Sequence, residues 1–249
     1  MKRAAENPRA DGSRGKRSRA TLRERDVMVR EIMDDPACDP VRLRRTLERF
    51  AIVNRCVAGW GTVYRAHIGP ALAATGGSAR ILDIGCGAGD VLRSLLDRAR
   101  KDGFIVEGVG IDPDERAIMV ARAGTATAGL SFEIARAADL VARGDRFDVV
   151  ISNHLLHHLT PREVTDLLTD SRTLANHVAL HSDIARGRMA YLAFAVAVPP
   201  FAPGTFLRTD GLRSIRRSWT RAEFARLAPS GWRIEGPVPF RLLAVHDRG

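Results

Sequence analysis

Ile81-Leu82-Asp83-Ile84-Gly85-Cys86-Gly87-Ala88-Gly89-Asp90 is the stretch that decides the fold. A short β-rich run, begun at Ala79, ends in three glycines spaced two apart. A helical pattern then runs from Asp90 to Lys101, with Val91, Leu92, Leu95 and Leu96 on one face. Glycine at such a turn lets the backbone fold sharply and lets a ligand approach the main chain. The helix start behind it offers N–H groups that have no partner within the helix.

Downstream of this stretch, strands and helices alternate. Ile105–Ile111 reads as a strand, Asp114–Ala123 as a helix, and Leu130–Ala135 and Phe147–Ser152 as further strands. A helix begins at Pro161, with Val164, Leu167 and Leu168 inward, and His177–Ser182 is a fifth strand. Five strands with helices between them predict a parallel sheet covered on both faces. Thr220-Arg221-Ala222-Glu223 has the form of a capping box, and Arg233–Glu235 with Arg241–His246 predict a hairpin at the sheet edge.

Upstream, helices are expected over Leu22–Ile32, from Asp39-Pro40 onward with Val41, Leu43, Leu47, Phe50, Ala51 and Val53 at helical spacing, and over Trp60–Leu72. The expected fold class is α/β: a Rossmann-like, doubly wound, mostly parallel sheet of about seven strands, with an antiparallel C-terminal edge hairpin and an N-terminal helical extension.

The glycine loop alone fits several nucleotide ligands. Asp112, at the end of the second strand, can accept the two hydroxyls of a ribose. A dinucleotide loop has G-x-G-x-x-G spacing and aims a helix N-terminus at a pyrophosphate. Here the spacing is G-x-G-x-G, and Asp83 precedes it by two residues. A carboxylate there repels a diphosphate and attracts an ammonium group. S-adenosylmethionine carries an α-amino group and no phosphate.

Ile81–Asp90 resembles motif I of the class I S-adenosylmethionine-dependent methyltransferases. Gly110-Ile111-Asp112 resembles their second motif, and the run Phe147 to Leu159, with Asn153, His154, His157 and His158, resembles their fourth. The last run is most similar to the branch that methylates quinones, polyketides and other small molecules. The resemblance covers residues 79–184.

It implies that Gly85 and Gly87 pack against the methionine portion of the cofactor, that Asp83 holds its amino group, and that Asp112 takes the ribose. The implied cofactor-binding set is Asp83, Gly85, Cys86, Gly87, Gly89, Asp112, Pro113, Asp139 and Asn153. Family members often carry an acid just after the third strand, against the adenine. This chain has Arg136-Ala137 there, and Asp139 is the nearest acid. The chain then divides into a disordered basic tail at 1–22, a helical extension at 23–78 and an S-adenosylmethionine-binding domain at 79–249.

The acceptor side is read from histidines. His154, His157, His158 and His177 lie close in sequence, with His181 and Asp183 at the end of the fifth strand. A histidine among His154, His157 and His158 suits removal of a hydroxyl proton near neutral pH. His154 and His158 have i,i+4 spacing, which would suit a metal on a helix, but no cysteine or acid stands at motif spacing. No metal is expected.

The apolar run from Tyr191 to Val198, with Pro199-Pro200 after it, reads as a buried helix before a kinked loop, or as an apolar cover over an acceptor pocket. Phe50, Trp60 and Tyr64 are candidates for the opposite wall. A small lipophilic or aromatic acceptor, methylated at oxygen, follows.

The chain has 249 residues and a net charge of +10, half of it from residues 1–20, which carry Lys2, Arg3, Arg9, Arg14, Lys16, Arg17 and Arg19 against Glu6 and Asp11. That tail raises the alternative of a nucleic-acid methyltransferase. Against it, Ser152-Asn153-His154-Leu155 lacks the Asn/Asp-Pro-Pro-aromatic sequence of base-amino methylators, and no nucleic-acid partner is expected. A cofactor-binding relative without catalysis is the other alternative.

Three unpatterned cysteines, Cys38, Cys56 and Cys86, fit a reducing compartment. There is no secretory h-region, and the longest apolar run falls short of the about 20 residues that span a bilayer. The expected location is cytoplasmic.

Overall fold

The computed structural model describes residues 22–248. The expected basic tail, apart from Leu22, lies outside the described residues, as do the side chains of Val53 and Cys56. Seven strands form one sheet: β1 (Ser78–Ile84), β2 (Ile105–Asp112), β3 (Leu130–Ile134), β4 (Phe147–Asn153), β5 (Ala175–Ile184), β6 (Arg233–Glu235) and β7 (Arg241–Asp247). Their order is β3-β2-β1-β4-β5-β7-β6. The first five are parallel, and β7 runs antiparallel to both β5 and β6. This is the Rossmann-like sheet the alternation predicts, with the edge hairpin where it is expected.

Adjacent residues of the strands feed two cores. Ile81, Val149, Leu180 and Val245 face one side, where they meet α4 (Asp90–Lys101) through Leu92, Leu95 and Leu96. The same layer holds residues 60–74: α2 (Trp60–Val63), a π-helical turn (Tyr64–Ile68) and α3 (Gly69–Ala74), which bury Val63, Ile68 and Leu72. Leu82, Val150, Ala179 and Ala244 face the other side. They meet Leu140 of α6 (Ala137–Arg143), Leu167 and Leu168 of α7 (Pro161–Leu174), and Phe224 of α10 (Arg221–Leu227). Burying each large apolar side chain contributes about 1.5–3 kcal/mol, so this two-faced burial dominates the stability of the sheet.

The remaining helices are α1 (Pro40–Val57), α5 (Glu115–Ala123), α8 (Arg188–Ala197) and α9 (Leu207–Arg217). α1 starts as expected: the Asp39 carboxylate accepts the N–H groups of Val41 and Arg42 at 2.9 Å, and Pro40 opens the first turn. The capping box at Thr220 and Glu223 is also present.

One expectation fails, and one of two alternative readings is ruled out. Residues 22–32, expected as a helix, form turns and extended chain instead. Their polar groups are taken by distant partners, which outbid a local helix. The Asp210 carboxylate accepts the N–H of Ile32 at 2.8 Å and of Met33 at 3.0 Å, and Asp26 N–H donates to the Arg216 carbonyl at 3.0 Å. The segment 22–39 is a strap laid across the molecule.

The apolar run 191–198 is a helix, as read, but not a buried one: Met189, Leu192 and Val196 are exposed on its outer side. Helix α9 buries one face, but that face mixes Leu207 and Ile215 with Asp210, Ser214 and a mid-length Gly211, which hides it from a periodicity reading of apolar residues. Glycine is required there because a Cβ would collide with the Phe194 ring of α8.

Candidate functional site

At the carboxyl ends of β1 and β4 the sheet order reverses, the position where open α/β sheets hold ligands. A cavity of about 690 Å³ opens there. One end is made by the loop after β1 and by Asp112. The other is made by the loop after β4, the strap and α8.

The loop end is built from local chain. Gly85 and Gly89 adopt left-handed backbone, with φ of 70° and 74°. A Cβ at Gly89 would strike the Phe132 ring, and one at Gly85 would come within 3.1 Å of Leu155. The Asp112 carboxylate braces the loop by accepting the N–H of Gly87 at 3.1 Å and of Asp114 at 2.9 Å. A carboxylate has about four acceptor sites, so two remain for ligand hydroxyls.

Asp83 is 2% exposed, and its Oδ1 has no hydrogen-bond partner. Burial, together with the nearby charges of Asp90 and Asp112, pushes its carboxyl well above the usual carboxylate range. Burial likewise raises Asp90 and Asp112. Three acids crowd one end of the cavity, and among the described residues none of them is in a salt bridge, a fit for a cationic ligand. An amino-acid ammonium and a sulfonium are two such cations, so the donor set fits S-adenosylmethionine.

Of the cofactor set expected from sequence, Asp83, Gly85, Cys86, Gly87, Asp112, Pro113 and Asn153 line this cavity. Gly89 stands behind it against Phe132. Asp139 does not reach the cavity lining: its carboxylate accepts the Arg136 N–H at 2.8 Å and caps α6. Asn153 is held by three partners. Its Oδ1 accepts from Trp60 Nε1 at 3.2 Å and Arg241 Nη2 at 2.8 Å, and its Nδ2 donates to Asn54 Oδ1 at 3.1 Å. Asn54 in turn donates to Asp90 at 3.0 Å. Phe50 lines the cavity, as expected; Trp60 acts through its N–H, and Tyr64 is buried in the sheet core.

The other end is built from distant chain. Arg25 in the strap donates to the carbonyls of Arg217, His157 and Leu159 at 2.5, 2.8 and 2.7 Å, and its guanidinium lies 4.0 Å from the Trp219 ring centroid. Buried Arg186 ties the strap down at the carbonyls of Leu22 and Arg23. These bonds carry Glu31, which is buried, and Asp34 to the histidines of the β4 loop.

His157 is buried between two acids. Its Nδ1 lies 2.9 Å from both oxygens of Asp183, and its Nε2 lies 3.2 Å from Glu31 Oε1, without hydrogen-bond alignment. Burial works against its charge, but Asp183 and Glu31 outweigh burial and raise its pKa to about 10. His158 is more open. Its Nδ1 lies 3.5 Å from Asp34 and its Nε2 3.9 Å from Glu31 Oε2.

His154 sits in left-handed backbone, φ 57°. Its Nε2 accepts from Arg241 Nη1 at 3.0 Å, and burial, then Arg241, lowers its pKa to about 4. His181 is a core residue, its Nδ1 2.7 Å from Ser152 Oγ. His177 stands apart, near Asp148.

Helix α8 covers this end. Ala190, Ala193, Phe194 and Ala197 face the cavity, beside Ile184 and Phe240. Glu31, Asp34, Asn54, Asp90 and Arg241 were not among the residues expected from sequence. Asp90 closes the glycine-loop stretch and is placed beside Asp83 by that loop; the other four have no local signal, because each becomes a site residue only through a contact with a distant segment.

Residues 81–176 match a protein family described as a methyltransferase domain. Among curated proteins, a ubiquinone biosynthesis O-methyltransferase of Cereibacter sphaeroides is 39% identical over 82 residues, which is 32% of this chain and 31% of that protein. The match therefore spans about a third of the relative's length. Among solved structures, the plantazolicin methyltransferase BpumL in complex with SAH superposes with a TM-score of 0.56 at 12% identity, over 84% of this chain and 96% of that one. Human N-acetylserotonin methyltransferase in complex with SAM gives a TM-score of 0.58 at 12% identity, over 83% and 56%. At these identities the structural likenesses establish the fold.

Proposed function

We propose, from the premise that residues 81–176 form a class I S-adenosylmethionine-dependent methyltransferase domain, that this chain transfers a methyl group to the hydroxyl of a small, mostly apolar acceptor. The observation that carries the proposal is the single cavity joining a cluster of acids to a histidine-lined apolar chamber. The relative's name, an O-methyltransferase of ubiquinone biosynthesis, points to the same atom and to a similar acceptor class.

S-adenosylmethionine, when bound, supplies a methyl group on a sulfonium that is already a good leaving group. The chain must supply position. Asp83 and Asp90 would hold the amino group, the backbone of Gly85 and Gly87 would receive the methionine portion, and Asp112 would take the ribose hydroxyls. Asn153, fixed by Trp60, Arg241 and Asn54, separates the two ends of the cavity. α8 and Phe50 exclude water from the acceptor, and alignment with exclusion of water accounts for much of such catalysis.

A hydroxyl acceptor must also lose a proton. His154 has its Nε2 lone pair committed to Arg241, and His157 has its Nδ1 committed to Asp183. The pair Glu31 and His158, facing the cavity, is where that proton can go.

Incubation with methyl-labelled cofactor and a panel of phenols and hydroxyquinones tests the proposal. Label is expected on oxygen of an apolar phenol. Label found only on a nucleic acid or protein would overturn it, and binding of the cofactor without any transfer would favour a non-catalytic relative.

A further inference from the structure

We propose that Glu31, His157 and His158 form a site for one divalent first-row metal ion at the acceptor end of the cavity. One ligand atom from each lies within 4.8 Å of the others. Two histidines and a carboxylate with open positions are a donor set for zinc, manganese, cobalt or ferrous ions.

The argument rests on what stands behind each ligand. Metal-bound histidines almost always donate their second ring N–H to a carboxylate or carbonyl, and bound carboxylates are themselves hydrogen-bonded. His157 has Asp183 at its Nδ1, 2.9 Å away, and His158 has Asp34 at its Nδ1, 3.5 Å away. Glu31 Oε1 accepts from Ser214 Oγ at 2.8 Å. His157 and Glu31 thus have hydrogen-bonded support, His158 has a carboxylate close behind it, and both Nε2 atoms are left on the Glu31 side.

A second observation is independent of that pattern. His157 is 2% exposed, and its Nε2 has no hydrogen-bond partner, although Glu31 Oε1 is only 3.2 Å off. A pair that close without hydrogen-bond alignment is what two neighbouring ligands of one ion present. With bonds of about 2.1 Å, neighbouring ligands lie about 3.0–3.4 Å apart. His158 Nε2, 3.9 Å from Oε2, is within a small side-chain adjustment of the same point.

The other candidate set, His154 with His157 and Asp183, is poorer. Asp183 already accepts the backbone N–H of His157 and Ile184 besides the His157 ring, and it is not part of the cavity wall. Glu31, His157 and His158 instead line the cavity, so an ion there keeps positions open toward the acceptor chamber. Spacing in the sequence does not show the site because Glu31 lies far upstream of the two histidines.

With an ion bound, Glu31 and His158 would serve as its ligands in place of taking the proton themselves; the ion would hold an acceptor oxygen and ease its deprotonation, the proton leaving to water. That role rests on the methyl-transfer reading; the binding does not. The test therefore reads binding alone. The full chain, dialysed against chelator, is titrated with zinc chloride in a calorimeter and with cobalt chloride in an absorbance cell.

One zinc per chain is expected, with Kd below about 1 µM, and a visible cobalt band from mixed nitrogen and oxygen ligands. Glu31→Gln and His158→Ala should each weaken zinc by about 100-fold or more, and Asp34→Asn by about 10-fold, the range for a supporting group. An unchanged melting temperature and unchanged cofactor binding would show that the variants are folded, and His177→Ala should leave zinc binding as it was. Absence of stoichiometric zinc or cobalt binding in the parent chain overturns the proposal. So does zinc binding that neither Glu31→Gln nor His158→Ala weakens.

Discussion

The two ends of the cavity are built in opposite ways. The cofactor end comes from one strand, its loop and the helix after it, joined by Asp112 on the neighbouring strand. The acceptor end comes from the strap, the β4 loop, the end of β5 and α8, brought together by Arg25, Arg186 and Asp210. The first is fixed by short-range geometry and unpaired acids. The second is fixed by long-range hydrogen bonds to backbone. Each end can therefore be damaged without the other.

The largest expected effect is at the cofactor end. Asp83→Asn removes the buried charge expected to meet the ammonium group. S-adenosylmethionine binding should weaken by about 100-fold, corresponding to about 3 kcal/mol for a buried ionic partner. Calorimetry checks this, and a change under threefold would mean that Asp83 does not face the ligand.

Next is the strap. Arg25→Ala removes three hydrogen bonds to carbonyls, each contributing about 1 kcal/mol. Turnover should fall by about tenfold or more while cofactor affinity stays within about twofold. Equal loss of both would erase the proposed separation of the ends.

Gly89→Ala forces a methyl group into the Phe132 ring and should cost about 1–3 kcal/mol of stability, read by denaturant melts.

The acids of the loop end give a dependence on pH with a definite sign. Asp83, Asp90 and Asp112 are raised above the ordinary carboxylate value near 3.8. A raised acid contributes stability when protonated and loses it as pH rises through its folded value. The free chain should therefore be penalised as pH rises, and a cationic cofactor should relieve the penalty. The increase in melting temperature on adding S-adenosylmethionine should grow as pH rises above the ordinary carboxylate range, by degrees, since 1 kcal/mol moves Tm by about 2–4 °C at this size. A flat increment would detach these acids from the ligand.

The smallest effect is at Asp139. Asp139→Ala removes only the cap of α6, so stability should fall by about 1 kcal/mol and cofactor affinity should not change. Weaker cofactor binding would restore the adenine role that its sequence position suggested.

The same contrast explains what could be read from sequence. Strand and helix periodicity around residues 79–184 anticipates the sheet because each element there buries its own stripe. Asp83 and Asp112 are legible because a loop and its neighbouring strand place them by chain geometry alone. Glu31 is illegible: nothing near it in sequence marks it, and its position depends on Ser214 and the histidines. Residues 22–32 mislead for the same reason, since helix propensity there loses to Asp210 and Arg216. Gly211 hides α9 because the need for glycine is imposed by Phe194 on a different helix.

The strap also sets an order in time. Arg25 meets its Arg217 carbonyl across 192 residues, and Glu31 meets Ser214 across 183. At about 5–20 residues per second of synthesis, the strap waits roughly 10–40 s before its partners exist. The sheet from β1 to β5 can close in that interval from nearer contacts, whereas closing so long a loop is slow. The acceptor chamber is thus the last part of the chain to take shape during synthesis and the first expected to open on gentle heating. On the proposed function, a newly made molecule would pass through a stage in which it can hold the methyl donor before it has anywhere to put the acceptor.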